Sequence, residues 1–225
     1  LVDTLARAPA AAALVVRALE RAEDRKALRL VHSQLRDAVG EATTALKVNF
    51  WAVDARPPTA SRWPRLEQLT IVWLNLAALE ALGSETWGNL DALLLDCESN
   101  VHDGFKFVFG GLGVPSARAL AAALRRMPAL RALELRGVEL SMASAAELFR
   151  ASSAEDVPNM RSFTARSTFL APRALAATGW RLEELDLCCE SVGVADMAAL
   201  VAAPTFAIRR LYLVACWTQP PSSAW

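Results

Sequence analysis

Histidine and cysteine, the residues that most often hold metals or cross-link small domains, are scarce in this sequence. Two histidines, His32 and His102, and four cysteines occur among 225 residues, and no C-x-x-C pair is present. A zinc site usually needs four clustered ligands of these types, and a disulfide framework needs more cysteines at regular spacing. We therefore expect no metal, and the few scattered thiols indicate a cytoplasmic or nuclear protein.

An excess of either charge and a long apolar run are also missing. The 24 basic residues balance 24 acidic ones, whereas surfaces that bind nucleic acid or anionic lipid are strongly basic. The run APAAAALVV at 8–16 has the apolar character of a signal peptide, but Arg17 and Arg21 follow it without a cleavage motif. No run reaches the roughly 20 residues of a membrane span, so we expect neither a nucleic-acid nor a membrane partner.

Recognisable catalytic sets are absent from the sequence as well. The acids Glu183 and Glu184, like Glu155 and Asp156, are adjacent, so their side chains would point apart instead of forming a dyad. The glycine-rich stretch GFKFVFGGLG at 104–113 lacks the lysine and the spacing of a phosphate-binding loop. We expect a protein that is not an enzyme and that uses no cofactor.

What the sequence does contain is a repeated leucine pattern, best formed in MPALRALELRGVEL at 127–140. Leu133 and Leu135 alternate with Glu134, which is the period of a β-strand, and Leu130 stands three residues ahead. This three-anchor pattern starts at positions 66, 90, 130, 160, 182 and 208, in steps of 24, 40, 30, 22 and 26 residues. Its copies are Leu66-Leu69-Ile71, Leu90-Leu93-Leu95, Leu130-Leu133-Leu135, Met160-Phe163-Ala165, Leu182-Leu185-Leu187 and Ile208-Leu211-Leu213.

Four of the five steps are close to the roughly 20–29-residue period of a leucine-rich repeat. The stretch from Trp63 to Trp217 therefore resembles the leucine-rich repeat proteins. The resemblance implies an α/β fold, a solenoid arc of short parallel strands with outer helices, which we assign to 46–217. Residues 218–225, TQPPSSAW, cannot continue a repeat and are predicted to be a disordered tail.

Several local features are predicted within this arc. An incomplete first strand is expected over 42–48, and helices are expected over 115–126 with Ser116 as the cap, 141–151, 172–177 and 194–203. Trp63, Trp87 and Trp180 precede strands and are predicted to be core residues. A further apolar residue recurs five positions after a strand, at Leu76, Leu140, Leu170 and Val192.

The first 45 residues lack the strand pattern and are predicted to be helical. They resemble an F-box, since L-R-L-V at 28–31 and the apolar run LVVRAL at 14–19 match its helices, although His32 and Leu35 depart from its usual Cys and Trp. The resemblance implies that the segment binds the adaptor of a cullin ubiquitin ligase, through Leu14, Val16, Leu19, Leu28, Val31 and Leu35. The alternative is a plain helical cap over the first repeat.

The residues between and just after the strand anchors are predicted to point away from the core, onto a concave face. We select from them the candidate partner surface of Trp73, Leu94, Asp96, Glu134, Arg136, Arg166, Asp186 and Tyr212. Arginine and aromatic residues are the types that anchor protein interfaces. The sequence thus predicts a protein-recognition module, like an F-box leucine-rich repeat substrate receptor of a cullin ubiquitin ligase. The alternative is a leucine-rich repeat scaffold or regulator with no ubiquitin link.

Overall fold

The computed structural model of the chain describes residues 43–49, 58–72, 75–97, 112–138, 140–166, 172–189 and 194–215. The predicted F-box-like helices and the predicted tail lie outside these ranges. So do all six residues proposed to contact the ligase adaptor, together with Trp73, Leu170 and Val192.

One parallel sheet organises the described residues, and its seven strands stand side by side in sequence order. All six predicted strands are present, and the strand expected to be incomplete is a full member of the sheet, starting at Ala45. Their bounds are β1 Ala45–Asn49, β2 Gln68–Val72, β3 Ala92–Asp96, β4 Ala132–Arg136, β5 Ser162–Arg166, β6 Glu184–Cys189 and β7 Arg210–Ala215.

Helices connect most of the strands, as parallel pairing requires. They are α1 Leu76–Gly83, α2 Val114–Leu124, α3 Met142–Arg150, α4 Pro172–Ala176 and α5 Val194–Ala202. The four predicted helices are confirmed to within two residues at each end, whereas α1 was not foreseen. Each helix lies beside the next one along the chain, so the helices form a second layer.

The sequence explains where two of the helices begin. The Asn75 side chain accepts a hydrogen bond from the Ala78 N–H at 2.8 Å, which caps α1. Ser141 caps α3 in the same way. The predicted cap of α2 at Ser116 is wrong, because α2 already begins at Val114 after Gly113. Pro115 is tolerated in this first turn, where a missing N–H costs nothing.

The core lies between the sheet and the helix layer. Alternate strand residues such as Leu69, Leu93 and Leu133 are buried there in one cluster with helix residues such as Leu79 and Leu148. A short strand cannot bury its apolar side alone, so each strand–helix unit depends on its neighbours.

Aromatic residues fill part of this core. Phe149, Phe163 and Trp180 meet edge to face with ring centroids 5.7 to 5.9 Å apart. Trp63, Trp87 and Trp180 are buried as predicted, and the Trp87 Nε1 donates to the Leu82 carbonyl at 3.1 Å.

The apolar residues that recur five positions after a strand differ in burial. Leu140 is fully buried, but Leu76 is 39% exposed. Leu76 is the first residue of α1, directly after the cap at Asn75, and the inward positions of that helix are Ala78, Leu79 and Leu82. The start of the helix at Leu76 explains its exposure.

A repeated hydrogen-bond arrangement fixes the alignment of the strands. The carbonyl of Asp91 accepts the N–H of Arg131 at 2.8 Å and that of Ala132 at 3.0 Å. The same pair of hydrogen bonds, from two successive N–H groups to one carbonyl, recurs at Thr44, Glu67, Arg131, Arg161 and Glu183. Because every strand starts from an equivalent bond, equivalent residues of neighbouring strands stand side by side.

Candidate functional site

The strand alignment places the residues that do not face the core in rows across the sheet. We call this side the open face, since the described helices pack against the other side. Its central row is Lys47, Thr70, Leu94, Glu134, Thr164, Asp186 and Tyr212. A second row, toward the strand ends, contains Val72, Asp96 and Arg136. A third row, at the strand starts, contains Ala45, Gln68, Ala92, Ala132, Ser162, Glu184 and Arg210.

The structure brings six of the eight predicted surface residues onto this face. Leu94, Glu134, Asp186 and Tyr212 belong to the central row, and Asp96 and Arg136 to the second row. The backbone of Arg166 stands at the register position next to Arg136. The six residues come from four different strands and share one face because the register is shared.

Accessibility differs along the central row. Leu94, Glu134 and Asp186 are half-buried in the middle of the sheet, on the side away from the described helices. Tyr212 is 61% exposed at the far end of the row. From Leu94 onward, the central row therefore leads from an apolar residue past two carboxylates to an exposed aromatic ring.

One predicted position needs correction. Asp96 was expected on the accessible surface but is only 7% exposed, between the paired positions of Val72 and Arg136. The position of β2 that pairs with Asp96 is Val72, the last residue of that strand. The prediction for Trp73 concerns a residue outside the described ranges.

The charges on the open face are largely paired with each other. Arg136 Nε donates to Glu134 Oε1 at 2.5 Å within β4. Arg210 Nη1 lies 3.1 Å from Glu184 Oε1 across β6 and β7. The side chains of these two pairs are 27% to 67% exposed. Ion pairs that water reaches in this way add little to stability, and the face carries charges of both signs.

A second charged feature, at the strand starts, was missed by the sequence reasoning. Arg131 Nε lies 3.5 Å from Asp91, Arg161 Nε lies 3.7 Å from Glu183, and Arg209 Nη1 lies 3.8 Å from the same Glu183. All five residues directly follow the first anchor of a repeat. The recurrence of charge at this one offset is the signal that could have revealed the pairing.

The helix layer contains one compact charge cluster. Arg118 Nε of α2 donates to Glu147 Oε1 of α3 at 2.7 Å, and Arg150 Nη2 donates to the same oxygen at 2.9 Å. The hydrogen bond from Arg118, followed by that from Arg150, holds the pKa of the Glu147 carboxyl below its usual value. The cluster joins α2 and α3 and so links two neighbouring repeats.

A cleft of about 450 Å³ opens at the strand-start edge between the first two full repeats. Trp63 and Trp87 form its apolar wall, and Glu85 and Asn89 lie on its polar side. The polar groups are engaged within the chain: Glu85 Oε2 accepts the Ser61 N–H at 3.1 Å, and Asn89 Nδ2 donates to the Pro64 carbonyl at 2.7 Å. The cleft is therefore a junction between two repeats, and the Glu85 and Asn89 side chains that line it hydrogen-bond to the backbone of the chain.

Among the residues that the structure describes, no three His, Cys, Asp or Glu side chains are grouped so as to hold a metal ion. In the same part of the chain, no helix combines the length and apolarity needed to cross a membrane.

No model of a known protein family matches the sequence, and no curated protein matches it either.

Proposed function

We propose that the chain is a protein-recognition module of the leucine-rich repeat type, and that the open face binds its target. The observation that carries this proposal is the central row, in which one register aligns Leu94, Glu134, Asp186 and Tyr212 across the sheet. A flat row of mixed apolar, charged and aromatic side chains offers many weak contacts to a protein surface but no pocket for chemistry.

The fold supports the repeat assignment. Strand–helix units follow one another along the chain. Each unit contributes one strand to the sheet, and neighbouring strands are joined at their starts by the same pair of hydrogen bonds. Stacked units of this kind build an extended arc whose sheet side is the usual binding surface.

A capture experiment with matched variants tests the proposal. Tyr212→Ala and Glu134→Arg change exposed or half-buried residues of the open face, whereas Met142→Ala changes a 63% exposed residue of the helix layer. Proteins captured by the purified chain are quantified by mass spectrometry. A true target is lost with both open-face variants and kept with Met142→Ala; if no captured protein follows this pattern, the open face is not the binding surface.

We further propose that the N-terminal segment links this module to a cullin ubiquitin ligase in the cytoplasm or nucleus. The support is the match of L-R-L-V at 28–31 and of the apolar run at 14–19 to an F-box. The competing proposal is a repeat scaffold or regulator whose N-terminal segment is only a cap.

Binding of the purified ligase adaptor to the full chain separates these two proposals. The F-box proposal expects binding that is lost with Val16→Asp and with Val31→Asp while the circular-dichroism spectrum and melting temperature are kept. Tyr212→Ala is the matched control and leaves adaptor binding unchanged. Failure of the intact, folded chain to bind the adaptor decides for the scaffold.

A further inference from the structure

The cleft at the strand-start edge has the size and the lining of a small binding site. Its volume of about 450 Å³ falls within the roughly 300–1,000 Å³ of pockets that hold small ligands. Trp63 and Trp87 form its apolar wall, and they are only 6% and 2% exposed. The core behind the two rings therefore holds this wall in place before a ligand binds.

Two side chains that line the cleft retain free hydrogen-bond acceptors. Glu85 uses Oε2 to accept the Ser61 N–H at 3.1 Å, and Asn89 uses Nδ2 to donate to the Pro64 carbonyl at 2.7 Å. Within the described residues, Glu85 Oε1 and the amide oxygen of Asn89 have no partner. A ligand with several N–H donors would therefore find acceptors on two different side chains.

The charge of the cleft indicates the sign of its ligand. Among the described residues that line it, Glu85 is the only charged one, and it is half-buried. Asp91 and Glu183 at the same edge each pair with an arginine, but no arginine or lysine of the described chain forms an ion pair with Glu85. Even the nearby Arg62 lies outside the lining. A half-buried carboxylate without a cation favours a positively charged ligand.

We propose that the cleft binds an arginine side chain of a partner protein. The guanidinium donates hydrogen bonds to Glu85 Oε1 and to the amide oxygen of Asn89, and the aliphatic stem lies along the tryptophan wall. Arginine fits better than lysine because its planar fork of N–H donors can reach two acceptors on different side chains. The cleft does not belong to the open face, so this proposal stands or falls separately from the proposed function.

An NMR titration of the isotope-labelled full chain tests the proposal, with N-acetyl-arginine-N-methylamide as the probe. We expect the Gly88 amide signal and the indole N–H signals of Trp63 and Trp87 to shift together, with a dissociation constant on the order of millimolar for a ligand of this size. The citrulline derivative keeps the shape of the probe but lacks its charge, so it binds about five-fold more weakly. The lysine derivative also binds more weakly, because it lacks the fork.

Two variants and a matched control locate the binding in the cleft. Glu85→Gln keeps an acceptor for the Ser61 N–H but removes the charge, so the preference for the arginine derivative over the citrulline derivative disappears. Glu80→Gln changes an exposed carboxylate of α1 that does not line the cleft, and it keeps this preference. Gly88→Leu adds a side chain where a Cβ meets no atom within 4 Å, so it narrows the cleft and weakens the binding of both derivatives.

Four results would overturn the proposal. The first is the absence of any shift of the Gly88 and tryptophan signals at the highest soluble probe concentration. The second is equal affinity for the arginine and citrulline derivatives, and the third is equal affinity for the lysine derivative. The fourth is an equal loss of preference in Glu85→Gln and Glu80→Gln, which would assign the effect to overall charge. The comparisons of the three derivatives use the wild-type chain, so they do not depend on the folding of any variant.

Discussion

Replacing Leu133 and Leu211 by alanine compares one repeat position in two environments. The two residues occupy the same register row, but Leu133 is 1% exposed inside the sheet and Leu211 is 47% exposed at its edge. Removing a fully buried leucine side chain costs about 2–5 kcal/mol, because apolar contacts are lost and a cavity remains. Removing a leucine that is already half in water, and that leaves no enclosed cavity, costs about 1 kcal/mol or less.

Urea unfolding followed by circular dichroism measures the difference. For a slope of about 2–3 kcal/mol per molar urea, Leu133→Ala lowers the midpoint by about 0.7–2.5 M, and Leu211→Ala lowers it by about 0.5 M or less. Equal shifts of the two midpoints would refute the reasoning, since they would mean that both positions are equally enclosed.

Three further substitutions follow from the geometry. Gly179 has φ 74°, so we expect Gly179→Ala to lower the free energy of unfolding by about 1 kcal/mol, measured by urea unfolding. Gly88→Ala is the control: its added Cβ meets open space, so the free energy of unfolding hardly changes. The hydrogen bond from Arg118 holds the pKa of the Glu147 carboxyl below its usual value. The ionised carboxylate therefore stabilises the folded state above the unfolded pKa, and this stabilisation is lost as pH falls through the lowered pKa. Glu147→Gln removes the titrating group, so the urea midpoint changes less over this pH range. Arg136→Glu weakens target binding without moving the melting temperature, because its pair with Glu134 is exposed; a large melting shift would make Arg136 structural.

The strands were predictable because one periodic signal specifies them. Alternation by two separates Leu133 and Leu135 from Glu134, and the signal recurs in every repeat, so the register followed once the copies were aligned. Helix starts depend on local caps and are harder to place. At α2 the N-cap is Gly113 and not Ser116, because Pro115 is tolerated within the first turn of the helix.

The features that escaped prediction depend on neighbours distant in sequence. Arg118 and Glu147 lie on different helices, so no local pattern joins them. The burial of Asp96 follows from its place between β2 and β4, and the exposure of Leu211 follows from the lack of a described strand beyond β7. Sequence periodicity assigns a side chain to a face of the sheet, but it does not tell how much of that face is covered.

Site-specific photo-crosslinking tests the central claim, recognition through the open face, most directly. A photoreactive amino acid is placed at Tyr212 in one chain and at Met142 in another; these side chains are 61% and 63% exposed on opposite layers. We expect a target that the wild-type chain captures to crosslink from position 212 and not from position 142. Crosslinking from position 142 with none from 212 would contradict the claim and assign recognition to the helix layer.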